Sequence, residues 1–269
     1  MTRTRDDLRA DTRLAIEAVR RGLEHARAGD GVEEVTSKGG RDIVTATDVA
    51  VEDVIRRVVG ERSRRPVVGE ERGGDVPSDG SPYWLVDPIC GTRNFASGIP
   101  LYAVNLALVE DGRITAAAVG DASRDEVVFA ERGGGAWVAA DHEPRPLATG
   151  AHSQTIIVQT GHATGARREH AARFVDDVVR ADRWDVRNLG SSLALPYLAA
   201  GRVAGYVQFS ASSLHVGAGA MLVAEAGGTI SELGGGPWTV ASDSLIAAAD
   251  PALHHDLVEL ARAAARELA

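Results

Sequence analysis

The sequence predicts an α/β (α+β) protein, and three observations carry that expectation. An amphipathic helical pattern opens the chain, short strands separated by turn signals fill residues 100–150, and strands alternate with helices after 151. At 269 residues the chain can form one large domain or two lobes sharing a core. The division falls near residue 150. Residues 1–150 make an N-terminal lobe of helices and antiparallel sheet bearing the acidic motifs, and 151–269 a C-terminal α/β lobe completing the same site.

Each element has its own signal. Leu8, Ala15, Ile16, Val19 and Leu23 recur at helical spacing over 5–28, and Gly29-Asp30-Gly31 ends the pattern. "DIVTATD" (42–48) reads as a short strand, and "VAVEDVIRRVVGE" as a helix with Val51, Val54, Ile55 and Val58 on one side. A buried strand "RPVVGEE", a Gly/Pro/Asp/Ser linker over 72–82 and the strand "YWLVDPI" follow. On this reading acids sit at three strand ends: Asp48, Glu70 with Glu71, and Asp87. Glu110-Asp111-Gly112 and Gly133 to Gly135 mark hairpin turns of an antiparallel sheet. Beyond 151 come strands at 153–161, 185–190, 204–209, 229–233 and 245–250, with helices at 166–181, 191–201, 213–226 and 251–268.

Composition excludes several classes. With 44% hydrophobic and 25% charged residues the chain can bury a core, so disorder is not expected. A net charge of −9 supplies no basic stripe for nucleic acid. No run of about 18 apolar residues predicts a membrane span. One cysteine cannot build a disulfide framework, and the start of the chain lacks an apolar leader segment, so a cytoplasmic protein is expected.

Carboxylates at the ends of buried strands are poorly solvated and repel one another, so several converging on one point need a cation. Glu70, Asp87 and the Ile89 carbonyl, which Pro88 would swing toward the same point, form an all-oxygen set suited to Mg2+. "GEE" or "DP" alone is more often an ordinary turn; the two lie seventeen residues apart and are followed by Gly91-Thr92. Small residues there let backbone N–H groups approach an anion at a helix start. Thr92, hydrogen-bonded to Asp48, could pass on a proton from an attacking water, although turn hydroxyls are commonly caps.

"DIVTATD", "VVGEE", "WLVDPICGTRNFASGIP", "RNLGSSLALPYLAAGR" and "AGAMLVAEAGG" together resemble the successive blocks of the inositol monophosphatase family, over about residues 8–268. The resemblance implies a layered α-β-α-β-α sandwich, a homodimer, and hydrolysis of a small phosphorylated sugar, polyol or nucleotide with Mg2+. It places Glu70, Asp87 and the Ile89 carbonyl around a first metal, and gives Asp48, Thr92 and Glu70 catalytic roles, the first two orienting the water. Gly91 and Thr92 would meet the phosphate, and Gly190, Ser191, Ser192 and Gln208 the rest of the substrate. The family usually has an acid near the Gln208 position.

Two departures coincide. The family block has Asp at the Cys90 position, and its Trp-Asp pair is Leu214-His215 here. Both replaced acids are ligands of the second metal. Three readings follow: a softer site in which Cys90, His215 and Asp87 hold Zn2+ or Mn2+; a one-metal phosphatase; or an inactive phosphate-ligand-binding homologue or a repurposed enzyme of specialised metabolism. Capping by Ser212 or Ser213 would put His215 at a helix N-terminus, favouring a neutral ring. Taken singly, Cys90 reads as a small buried hydrophobe and His215 as a helix-start histidine. Covalent catalysis by Cys90 is disfavoured because "CGTRNF" offers only Arg93 to a thiolate. His254-His255 and the Arg-rich segments "RRVVGERSRR" and "GARREHAARF" read as solvated helix faces, since adjacent helical residues point about 100° apart.

Overall fold

The first long helix, α1 (Ala10–Ala28), forms because its buried positions, among them Leu14, Ala15, Val19 and Leu23, make one apolar stripe. It ends at Gly29, whose backbone is extended. The computed structural model describes residues 4–29, 35–39, 42–139, 143–150, 153–161 and 163–266; Asp30 and Gly31 of the expected turn lie outside them. β1 (Thr36–Gly39) pairs antiparallel with β2 (Asp42–Val44), and β1 had no sequence expectation.

The strand expected over 42–48 ends at Val44, and α2 runs from Ala46 to Arg62. Asp48 is therefore not at a strand end. It is the third residue of α2, where its carboxylate accepts the Thr45 N–H at 2.9 Å while the Thr45 hydroxyl accepts the Asp48 N–H, a capping box that outcompetes strand extension.

A seven-stranded sheet follows: β3 (Val67–Gly69), β4 (Tyr83–Cys90), β5 (Ala103–Glu110), β6 (Arg113–Asp121), β7 (Glu126–Glu131), β8 (Gly135–Ala139) and β9 (Arg145–Leu147), in that order. Only β3 and β4 pair in parallel. The β5–β6 turn is Asp111-Gly112, both with positive φ (50° and 68°), which suits the right-handed twist of a hairpin. α3 (Thr92–Ala96) leaves β4 directly. The second sheet has the order β11-β10-β12-β14-β13, from β10 (Thr155–Gln159), β11 (Asp185–Arg187), β12 (Gly205–Gln208), β13 (Thr229–Ser231) and β14 (Leu245–Ala248). Between its strands run α4 (Gly165–Ala181), α5 (Ala194–Ala199) and α6 (Ser213–Glu225), and α7 (Pro251–Arg266) closes the chain.

Three apolar clusters set the layers. α1 and α2 cover one face of the large sheet through Trp84, Val86, Val104, Leu106 and Phe129. α5 and α6 fill the space between the sheets, with Leu195, Leu198, Val216 and Leu222 against Leu85, Val109 and Val128 on one side and Ile157, Tyr206 and Leu245 on the other. α4 and α7 cover the outer face of the second sheet through Phe174, Val178 and Leu257. This is the α-β-α-β-α sandwich. α6 is buried nearly all round, and Gly219 admits Leu195 so closely that a Cβ there would lie 2.5 Å from it.

Along β5, Val104, Leu106 and Leu108 are covered by the α1/α2 layer, and Ala103, Ala107 and Val109 by the α5/α6 layer.

Candidate active site

Strict alternation along β4 would turn Asp87 and Cys90 to opposite faces, because they stand three residues apart. A register break against β5, where Asp87 pairs with Asn105 but Cys90 with Ala103, inserts one extra residue at Pro88-Ile89. The bulge brings both side chains to the α6 side. Asp87 is thus inside a strand rather than ending one. Ser212 caps α6 by accepting the Leu214 N–H at 3.3 Å, and this sets His215 in the first turn, facing β4.

His215 Nδ1 lies 2.7 Å from Asp87 Oδ2 and 3.8 Å from Glu70 Oε2. One ligand atom from each of Asp87, Cys90 and His215 falls within 4.8 Å of the others. Glu70, Ile89, Cys90, Thr92 and His215 line a cavity of about 490 Å3, with fully buried Asp87 beneath. Asp87 Oδ1 has no hydrogen-bond partner among the described residues. A buried carboxylate oxygen without a donor, beside a thiol and an imidazole, is a donor set that fits a cation.

The electrostatics point the same way. Burial, and then the charge of Asp87, push Glu70 up to about 8. Burial also pushes the Cys90 thiol up to about 11, which disfavours the thiolate at neutral pH when no cation is bound. Burial lowers His215, but its hydrogen bonds to Asp87 and Cys90 outweigh that and hold it well above the usual imidazole value. The neutral ring expected from the helix dipole is therefore overturned: a direct bond to a buried carboxylate outweighs half a unit of helix charge. A metal ion taken up here must displace that proton.

On the other side, Thr92 Oγ1 stands 2.9 Å from Asp48 Oδ1 and 3.0 Å from the Ile89 carbonyl oxygen, so one hydroxyl proton is shared between two acceptors. Burial raises the Asp48 pKa against its bonds to Thr45 and Thr92. Gly91, with φ +110°, precedes α3, and a Cβ on it would come within 3.2 Å of the Leu101 and Gly190 carbonyl oxygens and the Ser191 side chain. That approach brings the 190–192 loop onto β4. The Ser191 hydroxyl donates to the Cys90 carbonyl (2.7 Å), the Ser192 N–H to Cys90 Sγ (3.3 Å), and the Ser192 hydroxyl pairs with Asn105. Gln208 lines the cavity with its amide in use at both ends: Oε1 accepts from the Tyr206 hydroxyl and Nε2 donates to the Ser210 carbonyl at 2.8 Å.

Several residues of the site had no sequence expectation. Glu52, buried in α2, accepts the Glu71 N–H (2.7 Å), the Arg72 N–H (3.1 Å) and Arg56 Nε (2.7 Å), and so shapes the loop that presents Glu70. Arg56 also donates to the Val67 and Gly73 carbonyls, so "RRVVGERSRR" is not wholly a solvated face. Lys38, the only lysine beside 28 arginines, reaches Glu71 at 2.6 Å and Glu70 at 3.4 Å; that compositional contrast was its one visible signal. Gln159 donates to the Ser191 carbonyl at 2.9 Å and lines the cavity. His254, which was expected on a solvated helix face and does not line the cavity, meets the Ser231 hydroxyl at 2.8 Å.

The inositol monophosphatase family model matches residues 5–266. The chain belongs to this family. It is 36% identical over 223 residues to an inositol-1-monophosphatase of Mesorhizobium japonicum, covering 80% of this chain and 81% of that protein. It is 32% identical over 231 residues to the Nus factor SuhB of Salmonella typhimurium, covering 83% and 85%. The extragenic suppressor protein suhB of Bartonella henselae superimposes with a TM-score of 0.84 at 26% identity over 94% of this chain and 98% of that one. The Thermotoga maritima IMPase shares the fold with a TM-score of 0.82 at 24% identity, covering 94% and 97%. Inositol monophosphatase family members are metal-dependent phosphoric monoester hydrolases, and this chain is a phosphatase-like enzyme of that kind. No helix of the described residues is long and apolar enough to cross a membrane.

Proposed function

We propose that this family member hydrolyses a small phosphorylated sugar, polyol or nucleotide with an altered second metal site. The observation that carries the reading is the convergence of Asp87, Cys90 and His215 within 4.8 Å. Carboxylate, thiol and imidazole together suit Zn2+ better than Mg2+, while Glu70, Asp87 and the Ile89 carbonyl keep an oxygen set for Mg2+. Cations held there would supply charge neutralisation at the phosphoryl oxygens and acidify an attacking water. Asp48 and Thr92, joined by the 2.9 Å hydroxyl–carboxylate contact, would orient the attacking water and take up its proton. The Gly91 and Thr92 amides face the phosphate, and Gly190, Ser191, Ser192 and Gln208 contact the remainder of the substrate. A homodimer remains the assembly proposed from the family, to be checked by sedimentation at micromolar concentration.

The 2.7 Å Asp87–His215 bond favours a second reading, in which imidazolium stands where the second cation would and the site works with one metal. Metal analysis of protein purified without chelator, followed by phosphate release from a panel of monophosphates with Mg2+, Mn2+ and Zn2+, separates the two. A retained transition metal that Cys90→Ser loses supports the first reading. No retained metal, with Mg2+-dependent turnover raised about tenfold or more by Cys90→Asp/His215→Asp, supports the second. No metal, no turnover and no rescue reject both, leaving ligand binding or other chemistry.

A further inference from the structure

Away from Glu70 and His215 the cavity changes chemical character. Among the described residues that line it, Glu70 is the only carboxylate, 3.8 Å from His215. The cavity wall also includes Thr164, Arg168 and Asn188. Arg168 belongs to the segment expected to be a solvated helix face; it is exposed, and it also lines the cavity. Its Nε donates to the Ala163 carbonyl at 3.1 Å, which pins the side chain, while its two terminal nitrogens have no partner among the described residues. The adjacent Arg167 differs, being held by both oxygens of Asp243 at 2.8 and 2.9 Å. The Thr164 hydroxyl makes no capping bond to α4. Asn188 Oδ1 accepts the Gly190 N–H at 2.9 Å, which leaves the amide nitrogen as its donor.

We infer that this wall recognises a second oxyanion on the substrate, with Arg168 as the specificity-determining residue. The inference rests on the phosphate monoester reading of the Glu70 end. A polyol hydroxyl both donates and accepts and so meets these groups singly, whereas an oxyanion offers the Arg168 guanidinium two acceptor oxygens and a countercharge. The acceptor most suitable for a polyol, Gln208 Oε1, already receives the Tyr206 hydroxyl. A pinned guanidinium with both outer nitrogens open matches the two oxygens of a phosphate or carboxylate.

The test compares glucose 1-phosphate with glucose 1,6-bisphosphate and glucuronic acid 1-phosphate, by phosphate release and by calorimetric binding, in wild type, Arg168→Gln and Arg168→Lys. The wild type should prefer at least one of the two esters with a second oxyanion by about tenfold in kcat/KM, the scale of one charge-assisted hydrogen-bond pair. Arg168→Gln should bring that ratio to about one, and Arg168→Lys, which keeps the charge without the fork, should keep part of it. Preference for the bisphosphate alone assigns a second phosphate; preference for both esters assigns oxyanions in general. A wild-type ratio near one for both, or a preference that survives Arg168→Gln, overturns the inference. Should no ester be hydrolysed, the phosphatase reading fails separately and calorimetry decides: tighter binding of either ester with a second oxyanion that Arg168→Gln abolishes supports the oxyanion subsite, and equal binding of all three overturns it.

Discussion

His215 Nδ1 and Asp87 Oδ2, 128 positions apart in the chain, meet at 2.7 Å and join helix α6 to strand β4 at the base of the cavity. His215→Ala would leave Asp87, fully buried, without its ring partner. In chelator the variant should lose about 2 kcal/mol or more of stability, as for a broken buried pair. In a double-mutant cycle with Asp87→Asn, urea unfolding should show losses well short of additive. Because the folded-state pKa of His215 is raised, its contribution is complete below the ordinary imidazole value and is lost as pH rises through the raised one.

Cys90 should be slow to alkylate. Its thiol is pushed from 9.0 up to about 11, and two pH units correspond to a factor of about 100 in thiolate. Iodoacetamide labelling at pH 8, followed by mass spectrometry, should therefore run about a hundredfold slower in the native protein than in urea. A bound transition metal should slow it further.

Glu70 predicts the opposite of ordinary carboxylate behaviour. Its pKa rises from 4.5 to about 8, so between those values the unfolded chain releases a proton that the folded chain keeps, and stability falls as pH rises. By scanning calorimetry in chelator, Glu70→Gln should match the wild type near pH 5 and exceed it at pH 8.5. Added Mg2+ or Zn2+ should raise the melting temperature of the wild type more than that of the variant.

The loop presenting Glu70 depends on Gly69. A Cβ at that position would lie 2.1 Å from Glu52 Oε1, a buried carboxylate already holding Arg56 and two backbone amides. Gly69→Ala should destabilise by about 1–3 kcal/mol through overpacking. Glu52→Gln should lower turnover without entering the cavity, and circular dichroism should show the fold retained.

Thr92→Ala removes the hydroxyl that Asp48 holds. Phosphate release should fall by about a hundredfold or more in kcat with little change in KM, and Thr92→Ser should restore most of it. Loss in KM alone would assign the hydroxyl to ground-state binding.

Much of the fold was legible because hydrophobic periodicity is local. The stripe of α1, the Asp111-Gly112 hairpin and the alternating elements after 151 each rest on residues within one or two turns of one another. Where two local signals competed, the reading slipped. Over "DIVTATD" the strand pattern masked the capping box between Thr45 and Asp48 that starts α2 at Ala46. The residues of the candidate site were also visible, since Glu70, Asp87, Cys90, Thr92 and His215 stand at motif positions of a family resemblance. Their grouping and the Thr92–Asp48 bond were expected as well; the raised pKa of His215 was not. A one-residue bulge in β4 decides that Asp87 and Cys90 share a face, and the docking of α6 decides that His215 reaches them and takes up a proton. Glu52, Lys38, Gln159 and Arg168 join the site only by close approach across the fold. The sequence by itself determined the elements and the chemical inventory; the tertiary structure alone decided proximity and burial, because Coulomb energy and desolvation depend on distance and solvent exposure rather than on order along the chain.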